Sequence, residues 1–352
     1  MPRPTALPRL TSLRIFAALV VLGFHLSVRD VLFLPGLASI GYVGVGFFFI
    51  LSGLVLAWGT SPGLPARTFY RRRFARVWPS HVVMLAVVSI VPVVAVTRAW
   101  EEVVPNLLLV QAWWLDTSTA FAFNGVSWSL ACEAFFYATF PVVVVWMDRL
   151  DRRWQWALAC LLLAGSALVG LMAPLLAYHL PLARYGEFLL GLVAGLALRG
   201  GWRPRVPVSV ACVTLGAGAL LATVVPFPLP NVVLAGPFLL VLLCAVERDT
   251  RPVGGWLRSV PMVFAGEVSF ALYLVHETVI LNLPPRLDLP PWGEAAVVLL
   301  VSGVAAVALH LLVERPANQL LRGSGGSVAL ADPHLVLRAD DEAPPESLRE
   351  KE

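Results

Sequence analysis

Charged residues are scarce in this chain: Asp, Glu, Lys and Arg make up 14% of 352 residues, against 58% that are hydrophobic, and the mean hydropathy is +0.79. A soluble fold would have to hide too much apolar surface, so the bilayer is the solvent that fits. Paired cysteines are lacking as well. Cys132, Cys160, Cys212 and Cys244 each lie inside an apolar stretch with no paired spacing, which argues against a disulfide framework or a zinc site and leaves them as packing residues. No small-residue cleavage pattern follows the first apolar stretch, which carries Arg14 and His25, so it reads as a retained span rather than a secretory signal. Lysine is represented by Lys351 alone, so the net charge of +4 rests on arginine. Those arginines suggest nucleic-acid binding only until their positions are read: they sit in short loops between apolar spans.

Apolar runs of crossing length, about 17 to 25 residues, fall near 11–28, 40–59, 79–97, 129–147, 156–174, 182–199, 206–225, 231–246, 261–283 and 293–313. The expected fold is therefore all-α, a polytopic membrane bundle of about ten transmembrane helices. The run at 231–246 is short and contains Pro237; the one at 103–115 is too short to cross and reads as a re-entrant or interfacial piece. Arginine placement gives an independent check, because positive charge stays on the cytoplasmic side. Arg67, Arg71, Arg72, Arg73 and Arg76 fall in 60–78, Arg149, Arg152 and Arg153 in 148–155, Arg199, Arg203 and Arg205 in 199–205, and Arg248, Arg251 and Arg258 in 247–258. These are alternate loops. The loops between them carry Arg29 beside Asp30, Arg98 near Glu101 and Glu102, and Arg286 beside Asp288. Both termini are predicted cytoplasmic, in a multi-pass protein of the inner (plasma) membrane. A membrane-embedded domain over 1–322 precedes a Gly-, Ser-, Pro- and acid-rich segment, 323–352, expected to be a disordered cytoplasmic tail. No internal repeat and no second globular domain are evident.

An ionisable side chain inside a span costs several kcal/mol, so each one calls for a partner or a purpose. His25 follows Arg14 by eleven positions, which is three helical turns with about 20° left over, so the two face the same way roughly 16 Å apart. That puts a fixed cation near the cytoplasmic end of a groove and a titratable imidazole farther in; the alternative is an anchoring arginine and an interfacial histidine. Arg73 and Arg76 share one helix face in a loop that gathers five arginines, a suitable cradle for phosphates or an ordinary positive-inside anchor. Glu133 opens an apolar helix just after Trp128 and Ser129, with Tyr137 four residues on; its carboxylate can orient His25, bind a sugar hydroxyl, cap a helix or pair with Arg184. Ser269, Tyr273 and His276 share a face through spacings of four and three, which makes His276 a second polar element of the site or a satisfied core histidine. Arg184 and Glu187 read as a neutralised intramembrane pair, and Glu314 with Arg315 as the end of the last helix.

The ordered run LTSLRIFAALVVLGFHL, YVGVGFFFILSGLVL, RRRFARVWP, WSLACEAFFY and VSFALYLVH, spread over nearly all of residues 7 to 320, resembles the acyltransferase-3 family of integral membrane acyltransferases. The resemblance implies a bundle of about ten helices that moves an acyl group from acyl-CoA to a hydroxyl, usually on a carbohydrate. The family's arginine and histidine with ten residues between them fall on Arg14 and His25, the histidine being regarded as catalytic. Its arginine pair linked to acyl-CoA use falls on Arg73 and Arg76, and its tryptophan, serine and glutamate motif on Trp128, Ser129 and Glu133. There are departures: Gly46 and Ala134 stand where members often carry acidic residues. No fused esterase-like domain is expected, and the stand-alone form is similar to actinobacterial members that acylate macrolides and other glycosylated natural products.

On this reading His25 and Glu133 are catalytic, Arg14, Arg73 and Arg76 bind the donor, and Trp128, Ser129, Tyr273 and His276 face the acceptor, with no metal. The expected activity is O-acylation of a carbohydrate or glycosylated natural product by acyl-CoA, with acetyl-CoA as the expected donor. The alternatives are O-acetylation of a cell-envelope glycan and transport or flipping of a glycosylated molecule. A transporter predicts inverted repeats and paired broken helices, and neither is visible.

Overall fold

The computed structural model describes residues 7–34, 36–60, 63–91, 99–251, 254–284 and 287–322. The expected tail over 323–352, Arg98 and Arg286 lie outside the described residues. Within them the regular structure is entirely helical. Ten main helices follow one another: α1 Pro8–Val28, α2 Gly44–Gly59, α3 Ala66–Ile90, α4 Trp128–Asp148, α5 Arg152–Met172, α6 Tyr185–Arg199, α7 Val208–Ala222, α8 Pro230–Asp249, α9 Val260–Asn282 and α10 Pro291–Leu309. Each corresponds to one of the ten expected spans. Seven of those spans are long and apolar enough to cross a bilayer. The other three fall short for different reasons: the first half of α3 is studded with arginines, and α6 and α7 have only 15 residues each. The run with Pro237 is longer than its sequence suggested, because α8 continues unbroken for 20 residues. The stretch near 103–115 forms a five-residue helix, Val103–Leu107, and a turn at Gln111–Trp113, too short to cross.

The centre of the bundle is α2 packed on α6. Lipid offers no hydrophobic drive for helices to associate, so close packing of small residues has to hold them together. A Cβ on Gly191 would collide with the Ile50 carbonyl oxygen, and one on Gly53 with that of Phe188. The sequence GLVAG of α6 thus lets two backbones touch, and α6 is buried from Gly186 to Leu198. At the periphery the apolar side chains point outward: only 17% of the apolar window of α5 is buried, and Leu161, Leu168 and Met172 are exposed, as a lipid-facing surface requires. Two cysteines share that outward surface. Cys132 and Cys244 are buried as expected of packing residues, but Cys160 and Cys212 are exposed on α5 and α7, whose sparse packing leaves few positions inside.

Two further contacts position the site. Gly266 of α9 lets the Thr11 carbonyl of α1 approach where any side chain would collide, so α1 and α9 run in close contact. The connection from α3 to α4 is stitched to its neighbours: Trp78 Nε1 donates to the Leu107 carbonyl (3.1 Å), His81 Nε2 to that of Asn106 (2.8 Å), and Asn124 Nδ2 to that of Leu274 in α9 (3.0 Å). Asn124 and Gly125 are thereby held against the face of α9 that carries His276.

Candidate active site

His25 lies in the last turn of α1, close to its end rather than halfway along. The helix stops just beyond, where Asp30 takes a left-handed conformation (φ 55°) that short polar side chains tolerate. The contact between α1 and α9 pairs residues on two levels. His25 Nδ1 is 3.2 Å from His276 Nε2, with the rings edge to face, and Arg29 donates to Glu277 Oε1 at 2.6 Å.

The hydrogen bonds around the two imidazoles fix their protons. His276 Nδ1 lies 3.1 Å from the Leu272 carbonyl and His25 Nδ1 lies 3.0 Å from that of Val21. A carbonyl oxygen only accepts, so each Nδ1 carries a hydrogen. With one hydrogen per ring, His276 Nε2 is a lone pair, and the His25 Nδ1 hydrogen is shared between it and the Val21 carbonyl. His25 Nε2 is then the nitrogen left to take up a proton. Nothing in the spacing of His25 and His276, 251 positions apart, announces this contact; it depends on how α1 meets α9.

A second polar centre lies toward the other end of α1. The charges of Arg76, Glu314 and Glu133 and the hydroxyl of Tyr137 act on Arg14. Arg76 is ion-paired with Glu314 and lies over the Phe270 ring at 5.4 Å. Arg73 stacks on Phe69 and Tyr137, at 6.0 and 5.8 Å, and its buried Nε has no hydrogen-bond partner among the described residues. Tyr137 donates to Glu133 Oε2 (3.0 Å) and receives a hydrogen bond from Ser52 Oγ (3.3 Å). Glu314, read from sequence as a helix end, is buried beneath Arg76 and also bonded to His310 Nδ1 at 3.0 Å. It belongs to a π-helical turn, His310–Glu314, just before Pro316. Proline lacks the N–H for the regular helical bond and crowds the preceding turn, which favours the wider one.

The structure therefore brings Arg14, Arg73, Arg76 and Glu133 together at one centre and His25 and His276 at the other, linked along α9 by Phe270 and Tyr273. Ser129 Oγ and Tyr273 Oη are 2.8 Å apart, and both reach the Val126 carbonyl at 3.0 Å. Glu133 hydrogen-bonds Tyr137 and sits among the arginines, while the contacts on His25 Nδ1 come from His276 and Val21. Trp128 is buried against Tyr178 (4.6 Å) and Phe49, and all three rings surround the Arg184 guanidinium, which is gripped by Glu187 at 2.7 and 3.0 Å. This is the intramembrane pair expected from sequence. Sequence reasoning missed Glu277, Arg29, Asn124 and His310 as members of these centres; the one available signal was a carboxylate directly after His276 within an apolar helix.

Comparison with known proteins gives the chemistry a family. The acyltransferase-3 model, described as an acyltransferase domain, matches residues 7–312. Acyltransferase MdmB of Streptomyces mycarofaciens is 34% identical over 97% of this chain and 98% of its own length. The putative peptidoglycan O-acetyltransferase YrhL of Bacillus subtilis is 24% identical over 88% of this chain and 54% of its own length. O-acetyltransferase OatA of Staphylococcus aureus is 26% identical over 42% and 26% respectively. No solved structure matches. With the family model spanning most of the sequence and MdmB matched from end to end, this chain belongs to the acyltransferase-3 family and is a multi-pass membrane acyltransferase.

Proposed function

We propose that the protein transfers a short acyl group, acetyl in the simplest case, from acyl-CoA to a hydroxyl of a carbohydrate or a glycosylated natural product such as a macrolide. The observation that carries this reading is the state of His25: its Nδ1 is occupied by Val21 and His276, leaving Nε2 as the base. The arginines supply the complementary half. Arg73 and Arg76, with Arg14, hold the phosphates of coenzyme A on the cytoplasmic side, where the arginine-rich loops and both termini also lie. From there the pantetheine arm runs along α1, roughly 16 Å from Arg14 to His25, past Phe270 and Tyr273.

The chemistry then needs no resident cofactor. His25 Nε2 removes the acceptor's hydroxyl proton as that oxygen attacks the thioester carbonyl. The tetrahedral intermediate collapses by breaking the carbon–sulfur bond. Coenzyme A leaves as the thiol, taking a proton from the imidazolium, and the acceptor leaves as its ester. Glu133 balances the arginine cluster and, through Tyr137, holds Arg73 in place. An envelope-glycan acceptor is the second reading, favoured by the likeness to YrhL; that likeness covers 54% of YrhL, whereas Acyltransferase MdmB is matched over 98% of its length.

The test is acceptor-dependent release of coenzyme A from acetyl-CoA by the purified protein in nanodiscs, followed by thiol titration. His25→Ala is expected to reduce release by about 10²- to 10⁴-fold, the span of general acid–base catalysis. Undiminished release by that variant would mean that the base lies elsewhere. A transporter would release none.

A further inference from the structure

The contact that joins His25 to His276 has a second rung. Arg29 follows His25 by one turn at the end of α1, and Glu277 follows His276 directly in α9, so their 2.6 Å ion pair lies beside the two imidazoles. Its two ends stand in different surroundings. The Arg29 side chain is 37% exposed and that of Glu277 only 6%, and Glu277 Oε2 is buried with no hydrogen-bond partner among the described residues. Val88, Phe123 and Leu281 close the space beside the carboxylate too tightly for a water molecule. Gly125 packs against Oε2, since a Cβ there would lie 2.7 Å from it. Water and salt screen the guanidinium but not the carboxylate, so the field that this pair sends into the bundle is that of its negative end. That charge reaches both imidazoles: His25 and His276 each interact electrostatically with Glu277.

We propose that Glu277 is the counter-charge of the base: its carboxylate, held in place by Arg29, stabilises the imidazolium formed when His25 Nε2 takes the acceptor's hydroxyl proton. The inference rests on the acyl-transfer reading above and adds to it a residue that acts through His25 and touches no substrate. At that step His25 carries a hydrogen on each nitrogen and a full positive charge. His276 accepts the Nδ1 hydrogen as a neutral ring and brings no negative charge of its own. Glu133 and Glu314 lie among the arginines of the other centre, and Glu187 grips Arg184. Glu277 is the carboxylate next to the histidine pair. The positive charge exists only until the proton passes to the departing thiolate, so a fixed negative charge beside it favours the transition state over the resting enzyme. Arg29 serves this arrangement by holding the buried carboxylate as an ion pair from the solvent side.

The test uses the full chain in nanodiscs with acetyl-CoA and whichever of the gluco, galacto, manno and 6-deoxy methyl glycosides gives the fastest release of coenzyme A. Glu277→Gln keeps the shape and the bond to Arg29 and removes the charge. It is expected to lower kcat about ten- to hundredfold, as for a preorganised charge lost from the transition state, with both KM values within about twofold of wild type. Glu277→Asp keeps the charge on a shorter stem and should retain most of kcat. Exchanging the partners, Arg29→Glu with Glu277→Arg, restores an ion pair but turns its positive end toward His25, so kcat should fall below that of Glu277→Gln. A kcat for Glu277→Gln within twofold of wild type overturns the proposal. So does recovery of kcat in the exchanged pair, which would make the two residues a clamp between α1 and α9, and so does a raised glycoside KM at constant kcat, which would place Glu277 at the acceptor. If the exchanged pair does not fold, the comparison of Asp with Gln decides, and an Asp variant no faster than Gln counts against a counter-charge. Absence of coenzyme A release by wild type with every glycoside would instead strike the acyl-transfer reading, and this proposal with it.

Discussion

His276 Nε2 faces His25 Nδ1 at 3.2 Å, across a contact between the first and ninth helices, and both Nδ1 atoms are anchored on carbonyls one turn back in their own helices. On the proposed mechanism His276 is a positioning residue. Without it the His25 Nδ1 hydrogen keeps only the Val21 carbonyl, so the ring is held less firmly with Nε2 bare. His276→Leu is expected to lower kcat about ten- to hundredfold, the equivalent of one or two lost hydrogen bonds, with little change in either KM. His276→Gln, whose amide oxygen can accept from Nδ1, should recover most of that loss. Steady-state kinetics of the three proteins check this, and failure of the Gln variant to exceed the Leu variant would count against a tautomer role.

Arg73 gives a prediction of the opposite kind. Its guanidinium is stacked between Phe69 and Tyr137 with a buried Nε unpartnered among the described residues. A planar, stacked cation suits phosphate better than an ammonium does. Arg73→Lys should raise the KM for acetyl-CoA about tenfold or more, as for a lost charge-assisted bond, and leave kcat within a few-fold. A fall in kcat at constant KM would place Arg73 at the reaction instead of at the donor.

How far the sequence reaches depends on whether a feature is local. Span positions follow from apolar run length, and the shared face of Arg14 and His25 from helical period, so both could be read in one dimension. The meeting of His25 with His276, of Arg29 with Glu277 and of Arg76 with Glu314 requires packing of helices more than 230 positions apart. No spacing encodes that. Glu133 misled for the same reason: a carboxylate at the start of an apolar helix suits an imidazole partner as well as a guanidinium, and only the approach of α1 and α3 decides that it lies among Arg14, Arg73 and Arg76. Glu314 was hidden by Pro316, which marks a helix end in sequence and in the structure goes with a π turn that carries the carboxylate inward.

The pair of Arg76 and Glu314 is expected to be structural as well as functional. Glu314 is 1% exposed and shares its carboxylate with His310. Removing the cation strands a buried charge, at a cost of about 3–5 kcal/mol, whereas neutralising both partners costs much less. Arg76→Gln should therefore lower the melting temperature more than the double variant Arg76→Gln with Glu314→Gln. The KM for acetyl-CoA should stay high in both, because the cation is gone. Thermal unfolding and donor titration on the same samples separate the two roles; additive effects on stability would deny the coupling.

Gly266 offers a test that touches no polar group. Its Cα faces the Thr11 carbonyl so closely that any side chain must push α1 away from α9. The histidine pair sits at the far end of that same contact, so a shift of about 1 Å there is enough to break a hydrogen bond of ordinary length. Gly266→Ala should fold with reduced stability, by about 1–3 kcal/mol for an overpacked site, and lose activity out of proportion to that loss. Gly165 of α5, whose Cβ would meet nothing within 4 Å, is the matched control: Gly165→Ala should leave both properties close to wild type. If Gly266→Ala kept full kcat in protein verified to be folded, then His25 would not depend on the register between α1 and α9, and its contact with His276 would be incidental to catalysis.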